Sequence, residues 1–238
     1  MASHFPIIIL VARPAAGKSE VIDFLKKTPL EERLRRFHVR DLAEFDDFLY
    51  IWEWFAEDDI LEKHGRERLH TKPDYYFKDE FAWNLCIEKI NLAVVKRLAE
   101  ESRFLDTHTA VIEFARGGEN GFREAFSHLS DEILEKAAIV YIKVSYEESI
   151  RKNKRRARKG LEDSILYHSL PDDKMEFYYK VNDWDKLAKD SDLGHIEIKG
   201  HKVPYAALNN EPEVTDAPEK LGPALEKTFG KLWELAKK

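Results

Sequence analysis

FPIIILVARPAAGKS, residues 5–19, is the stretch from which the fold of this chain can be read. Phe5 to Val11 is short, β-branched and almost wholly apolar, with no alternation, and such a run reads as a central strand covered on both faces. From Ala12 to Ser19 the residues keep the spacing G-x-x-x-x-G-K-[ST], with Ala12 standing where the first glycine usually is. A helical pattern follows at Val21, Ile22 and Leu25. A strand, a turn and a helix in this order make an anion cradle: backbone N–H groups and the positive end of the helix grip a polyphosphate. The predicted nucleotide-binding residues are therefore Ala12, Arg13, Pro14, Ala15, Ala16, Gly17, Lys18 and Ser19. Small side chains at Ala15, Ala16 and Gly17 let the backbone approach the phosphates. Lys18 is placed for the β- and γ-phosphates of ATP, and the Ser19 hydroxyl for the Mg²⁺ that bridges them. A methyl at Ala12 is tolerable if that residue keeps φ negative. The alternative is an ordinary strand, turn and helix with a chance Gly-Lys-Ser, and the flanking patterns argue against it.

The 238 residues allow a large core, as one α/β domain or one domain with an inserted lid, of which a single domain is expected. With 35% charged residues and a net charge of −6, nothing global points to nucleic acid. Cys86 is the only cysteine, which excludes an internal disulfide and a cysteine-rich zinc site and fits a reducing compartment; the cytoplasm is the expected location. No apolar run approaches the roughly 20 residues that cross a bilayer, so no membrane association is expected.

Along the chain, Phe37 to Leu42 reads as a second strand, with Asp41 near its C-terminal end, where ligands of open α/β sheets sit. Asp41, Asp46 and Asp47 are candidates for substrate or metal contact, Asp41 first among them, with a solvated acidic loop as the alternative. Residues 43 to 103 are helical in pattern with a break at His70 to Tyr76, and Trp83, Ile87, Ile90, Val94 and Leu98 mark a core-facing helix. Phe48, Tyr50, Trp52, Trp54 and Phe55 read mainly as core, the alternative being an aromatic wall for a planar ligand. His108 to Phe114 is the third strand and delivers Glu113 to its C-terminal end, followed by Arg116. A carboxylate there can hold magnesium or accept a proton, and Arg116 can hold a phosphate. Helices over 121–137 and 172–187, a fourth strand at Ala138 to Val144 and a last β segment from His195 to Ile198 with Lys202 to Ala206 follow. Arg151 to Lys159 holds seven basic residues in nine. Its placement favours a lid whose arginines, Arg156 and Arg158 among them, neutralise a transferring phosphoryl group; a solvated face or a nucleic-acid patch is the alternative. Thr215 onward reads as an amphipathic helix with Leu225, Phe229, Leu232 and Ala236 on one face.

The loop at 12–19 and the segment RKNKRRARKGLED at 151–163 resemble the P-loop kinases of nucleosides and nucleoside monophosphates, most closely the deoxynucleoside kinase branch. Glu113 falls at the glutamate of that branch's E-R-S element, while Phe114 and Ala115 displace Arg116 from the element's arginine. Lys152, Arg156 and Arg158 reproduce its lid spacing with one lysine for arginine. The resemblance implies a three-layer α/β/α fold with a mostly parallel sheet, a helical acceptor-side insert at about 43–103 and a lid at about 146–190. It implies transfer of a phosphoryl group from ATP, with Mg²⁺, to a small-molecule acceptor, a nucleoside or nucleotide. Lys18, Glu113, Arg116, Arg156 and Arg158 would act in catalysis, and Ser19, Glu113 and Asp41 would hold the metal. The adenine would lie against Ala207 to Pro212, which brings Asn209 into the nucleotide site. A P-loop ATPase or switch is the other reading, with a basic segment that binds nucleic acid or protein. Oligomeric state is open, a homodimer included.

Overall fold

The computed structural model describes residues 4–156 and 169–237. In chain order they form β1 (Ile7–Ala12), α1 (Lys18–Lys27), α2 (Leu30–Phe37), β2 (Asp41–Asp46), α3 (Asp47–Lys63), α4 (Ala82–Glu100), α5 (Phe104–Thr107), β3 (His108–Ala115) and α6 (Gly121–Ser127). Then come α7 (Asp131–Leu134), β4 (Ala137–Lys143), α8 (Tyr146–Arg156), α9 (Asp172–Tyr179), α10 (Trp184–Ala188), β5 (Leu193–Ile198), β6 (His201–Asn209) and α11 (Pro218–Ala236). The described strands make one six-stranded sheet in the order β2-β3-β1-β4-β6-β5, parallel except for the β5–β6 hairpin.

The unbroken apolar run of β1 has a direct cause. Ile7, Ile9 and Val11 enter one core with α4, α6 and α10, whereas Ile8, Leu10 and Ala12 enter a second with α1 and α11. Every β1 residue is buried, so period-2 alternation has nothing to record. The result is the expected three-layer α/β/α arrangement, with β1 in the middle of the sheet and the loop after it at the sheet's C-terminal edge. Among the described residues no helix is long and apolar enough to cross a membrane.

Four sequence expectations shift. Phe37 ends helix α2 and is not a strand residue; His38 closes that helix in the left-handed region at φ 55°, and β2 starts only at Asp41. The false strand signal came from Phe37 and Val39, both fully buried; between them the His38 carbonyl accepts the N–H of Phe5 at 2.8 Å. The stretch 121–137 splits because the Asn91 side chain takes both the His128 carbonyl and the Ser130 N–H. The stretch 172–187 splits where Asp183 turns to cap α6, accepting from the N–H groups of Phe122 at 2.9 Å and Arg123 at 3.0 Å. In the C-terminal helix Ala236 is exposed, while Leu225, Phe229 and Leu232 are buried as expected.

Candidate functional site

The loop at 13–17 is a chain of special conformations. Ala12 closes β1 and is not among the residues with positive φ, so its methyl is accommodated. Ala15 has φ 54° and Gly17 φ 115°, two left-handed residues in a five-residue loop. An alanine held there costs about 1–2 kcal/mol, and such strain concentrates at ligand sites. Gly17 caps α1, and a Cβ on it would lie 2.8 Å from Thr215 Cγ2 and 3.0 Å from Asn210 Nδ2. Gly17→Ala should therefore push the loop off its support and weaken Mg-ADP binding by more than about tenfold, because crowding and the positive φ act together. Titration calorimetry would measure this, and unchanged affinity would mean that the loop's shape is irrelevant to binding.

Lys18 opens α1, and its Nζ lies 3.8 Å from Glu113 Oε1, with only 11% and 13% of the two side chains exposed. Glu113 belongs to β3 and stands opposite Asp46, the last residue of β2, in the parallel register. Asp46 also caps α3, accepting the N–H of Phe48 at 2.9 Å. Burial, opposed by Lys18 and helped by Asp46 and Asp47, pushes the Glu113 carboxyl up to about 7. Burial and then Asp47 push Asp46 up to about 6. Two carboxyls with raised affinity for protons, beside the Lys18–Ser19 helix start, form a site that a divalent cation would relieve.

This pair predicts a pH effect on stability. Both groups hold protons more tightly in the folded chain, so their contribution is full below about pH 4 and is lost as pH rises through 6 to 7. Carboxylates with lowered pKa, such as Glu213, act in the opposite sense at low pH, so the comparison must isolate Glu113. Relative to wild type, Glu113→Gln should gain melting temperature between about pH 5 and pH 8, since an amide carries no charge to bury. An equal offset at both pH values would contradict the assignment.

The other site candidates separate. Asp41 lies at the N-terminal end of β2, opposite His108, and its 62% exposed side chain pairs with Arg33. It stands at the far end of its strand from Asp46, so the metal role expected for it has no geometric support. The cause is the later start of β2: the strand's C-terminal residue is Asp46. Arg116 is buried and donates to the Asp47 carboxylate, the Ala115 carbonyl at 2.7 Å and the Trp83 carbonyl at 2.7 Å. It ties α3 and α4 to the end of β3 through its two terminal nitrogens, while its buried Nε has no hydrogen-bond partner among the described residues. Gly117 follows in a tight approach, since a Cβ there would come 2.0 Å from the Tyr178 carbonyl. Arg13 donates to the Tyr179 carbonyl and so links the loop to α9. Asn209 is exposed at the end of β6, whereas the next residue, Asn210, is fully buried against the loop.

In the basic helix α8, Arg151, Lys152 and Arg155 all pair with Glu213, and Lys154 with Asp172. Three cations hold the Glu213 carboxyl down at about 2 against the effect of burial. Arg156 ends α8, half-buried at the wall of the cavity described next. Arg158 lies outside the described residues.

A cavity of about 810 Å³ joins these parts. Pro14, Ala15, Lys18 and Ser19 form one wall, with Asp46, Asp47 and Glu113 at its base. Phe48, Trp52, Phe55, Tyr75, Phe77 and Trp83 line another. The aromatic residues of α3 divide between the core and the cavity lining. Trp54 is buried in a cluster with Ile51, Phe77 and Cys86, while Phe48, Trp52 and Phe55 are half-buried at the cavity. Glu44 and Asp59 add further acid to the lining.

Among the described residues no group of three or more His, Cys, Asp or Glu side chains could hold a metal ion unaided. Ser19, Asp46 and Glu113 in the cavity lining offer one hydroxyl and two carboxylates, a set that suits Mg²⁺, which keeps several waters and is bound by one or two carboxylates together with substrate phosphates.

The sequence matches no family model and no curated protein. Among solved structures, the chain is similar to a gluconokinase from Sinorhizobium meliloti 1021, at 12% identity over 98% of both chains and a TM-score of 0.39. It is also similar to APE1195, at 16% identity over 96% of this chain and 98% of that one, with a TM-score of 0.36. At such values neither likeness adds to what the sheet itself shows.

Proposed function

We propose that this chain is a P-loop phosphotransferase that moves the γ-phosphoryl group of ATP to a hydroxyl of a small, flat acceptor of the nucleoside class. The observation that carries the reading is the meeting of Lys18, Glu113 and Asp46 in the lining of one cavity with a set of aromatic side chains. Backbone groups of residues 13–17 and Lys18 would hold the β- and γ-phosphates, and the adenine would lie against the loop after β6. Ser19 and Glu113 would hold Mg²⁺, which supplies charge neutralisation at the phosphate oxygens when bound. The acceptor's hydroxyl oxygen attacks the γ-phosphorus, and its proton passes to Asp46. The bond from that phosphorus to the β–γ bridging oxygen breaks, and ADP leaves with the electron pair. Asp46 suits the proton because it caps α3, whose Phe48, Trp52 and Phe55 line the acceptor wall.

A hydroxyl acceptor is favoured because Asp46 stands in the cavity lining beside Phe48, Trp52 and Phe55, where it can take the hydroxyl proton, and the Arg116 guanidinium is engaged by Asp47. Kinship with the deoxynucleoside kinase branch rests on the loop and lid motifs alone. The alternative of an ATPase with a nucleic-acid-binding basic segment is disfavoured by the acids that already engage α8. An ADP-release assay with Mg-ATP against nucleosides, their monophosphates and gluconate tests the reading. A nucleoside should raise turnover at least about tenfold over the acceptor-free rate. ADP release indifferent to every acceptor would favour the ATPase.

A further inference from the structure

We propose that Ser149 and Asn210, with Lys152 beside them, are positioning residues that pre-aim the N–H groups of Ala15 and Gly17 at the phosphate position. The inference rests on the nucleotide-binding reading above and concerns how the cradle is held open for an anion.

Two carbonyls of the loop are pinned from behind. The hydroxyl of Ser149, in α8, donates to the Pro14 carbonyl at 2.7 Å. The Asn210 amide nitrogen, in the loop after β6, donates to the Ala16 carbonyl at 2.7 Å, and Lys152 Nζ approaches the same oxygen at 3.4 Å. In a planar trans peptide the C=O of one residue and the N–H of the next point in opposite directions. Fixing the Pro14 and Ala16 carbonyls outward therefore turns the N–H groups of Ala15 and Gly17 the other way. Neither N–H has a hydrogen-bond acceptor among the described residues. Both residues have positive φ, and alternation of left- and right-handed residues is how successive N–H groups converge on an anion.

The support is itself rigid. Asn210 is fully buried, and its four hydrogen-bonding positions are all used: Nδ2 donates to Ala16 and to Thr215 Oγ1 at 2.9 Å, and Oδ1 accepts from Val214 at 2.7 Å and Thr215 at 3.2 Å. The reverse amide orientation would set a donor against two donors, so the network fixes this one. Ser149 is fully buried as well. Lys152 also donates to Thr215 Oγ1 at 3.0 Å and pairs with Glu213 at 3.0 Å. None of these three residues is placed to touch a reacting atom. Their effect passes through the loop, and it should appear as phosphate affinity.

The test uses the full chain with inorganic tripolyphosphate and Mg-ADP as calorimetric probes, beside steady-state kinetics. Ser149→Ala and Asn210→Ala should each weaken tripolyphosphate binding by about tenfold, the scale of one well-made buried hydrogen bond. KM for ATP should rise while kcat stays within a few-fold, because the phosphates are held in ground and transition states alike. Ser149→Thr, which keeps the hydroxyl, should restore affinity. Asn210→Ala removes four bonds and could lower folding, so the single-bond variant Ser149→Ala decides. A folded Ser149→Ala with wild-type affinity for both probes would overturn the positioning role and leave the nucleotide-binding reading standing. Failure of the wild-type chain to bind either probe would overturn that reading, and the positioning role with it.

Discussion

Lys18→Ala is expected to abolish ATP-dependent phosphoryl transfer, with kcat/KM down by at least about 10³-fold and a melting temperature close to wild type. The two halves of this result have separate causes. The Lys18 ammonium faces the cavity between the loop and Glu113, where its contribution is charge rather than packing. Removing a buried charge usually leaves its partner stranded at a cost of several kcal/mol. Here the partner can escape, since Glu113 already titrates near 7 and can take up a proton when its cation is gone. Calorimetry should show Mg-ATP binding lost in a folded variant. A Lys18→Ala chain that still binds Mg-ATP as wild type does would remove the basis of the nucleotide reading.

The second large effect is expected at Glu113. Glu113→Gln should keep the fold and Mg-ADP affinity within a few-fold but lower turnover by about 10²-fold or more, because an amide does not compensate the charge of a cation held beside the transferring group. The pH profile separates this from a packing defect. Asp46 and Glu113 interact and titrate as a pair, so wild-type kcat should rise with pH through about 6 to 7. In Glu113→Gln the step near 7 should disappear and the limb near 6 remain, since burial and the adjacent Asp47 still act on Asp46. Asp46→Asn should give the complementary loss, with kcat reduced more than Mg-ADP affinity. Turnover of Glu113→Gln within a few-fold of wild type would make Glu113 a structural residue.

The legible parts of the sequence were those whose cause is local. β1, the loop and α1 can be read because burial on both faces, small loop residues and a helix start all fall within 20 consecutive positions. Glu113 was legible as a charge ending an apolar strand. Asp46 and Asp47 were visible but ranked below Asp41, since Phe37 and Val39 imitate a strand while one of them ends a helix. The better signal lay in the sequence: Asp46 directly precedes an aromatic helical run, the usual place of an N-cap. Arg116 read as a phosphate ligand because nothing local shows that Asp47, 69 positions away, claims it. Ser149 and Asn210 left no signal at all. Their partners, Pro14 and Ala16, lie 135 and 194 positions away, and a serine or asparagine next to a strand or helix end is ordinary. The basic run of α8 was legible as charge but not as pairing. Its charge is plain, but Glu213 and Asp172, which engage four of its cations, come from other parts of the chain.

The most direct test of the account is to identify the product. ³¹P NMR of the chain with Mg-ATP and a mixed nucleoside panel should show ADP and a new phosphomonoester growing in equal amounts, and neither signal with Lys18→Ala. ADP accompanied only by inorganic phosphate, at a rate no nucleoside changes, would contradict it.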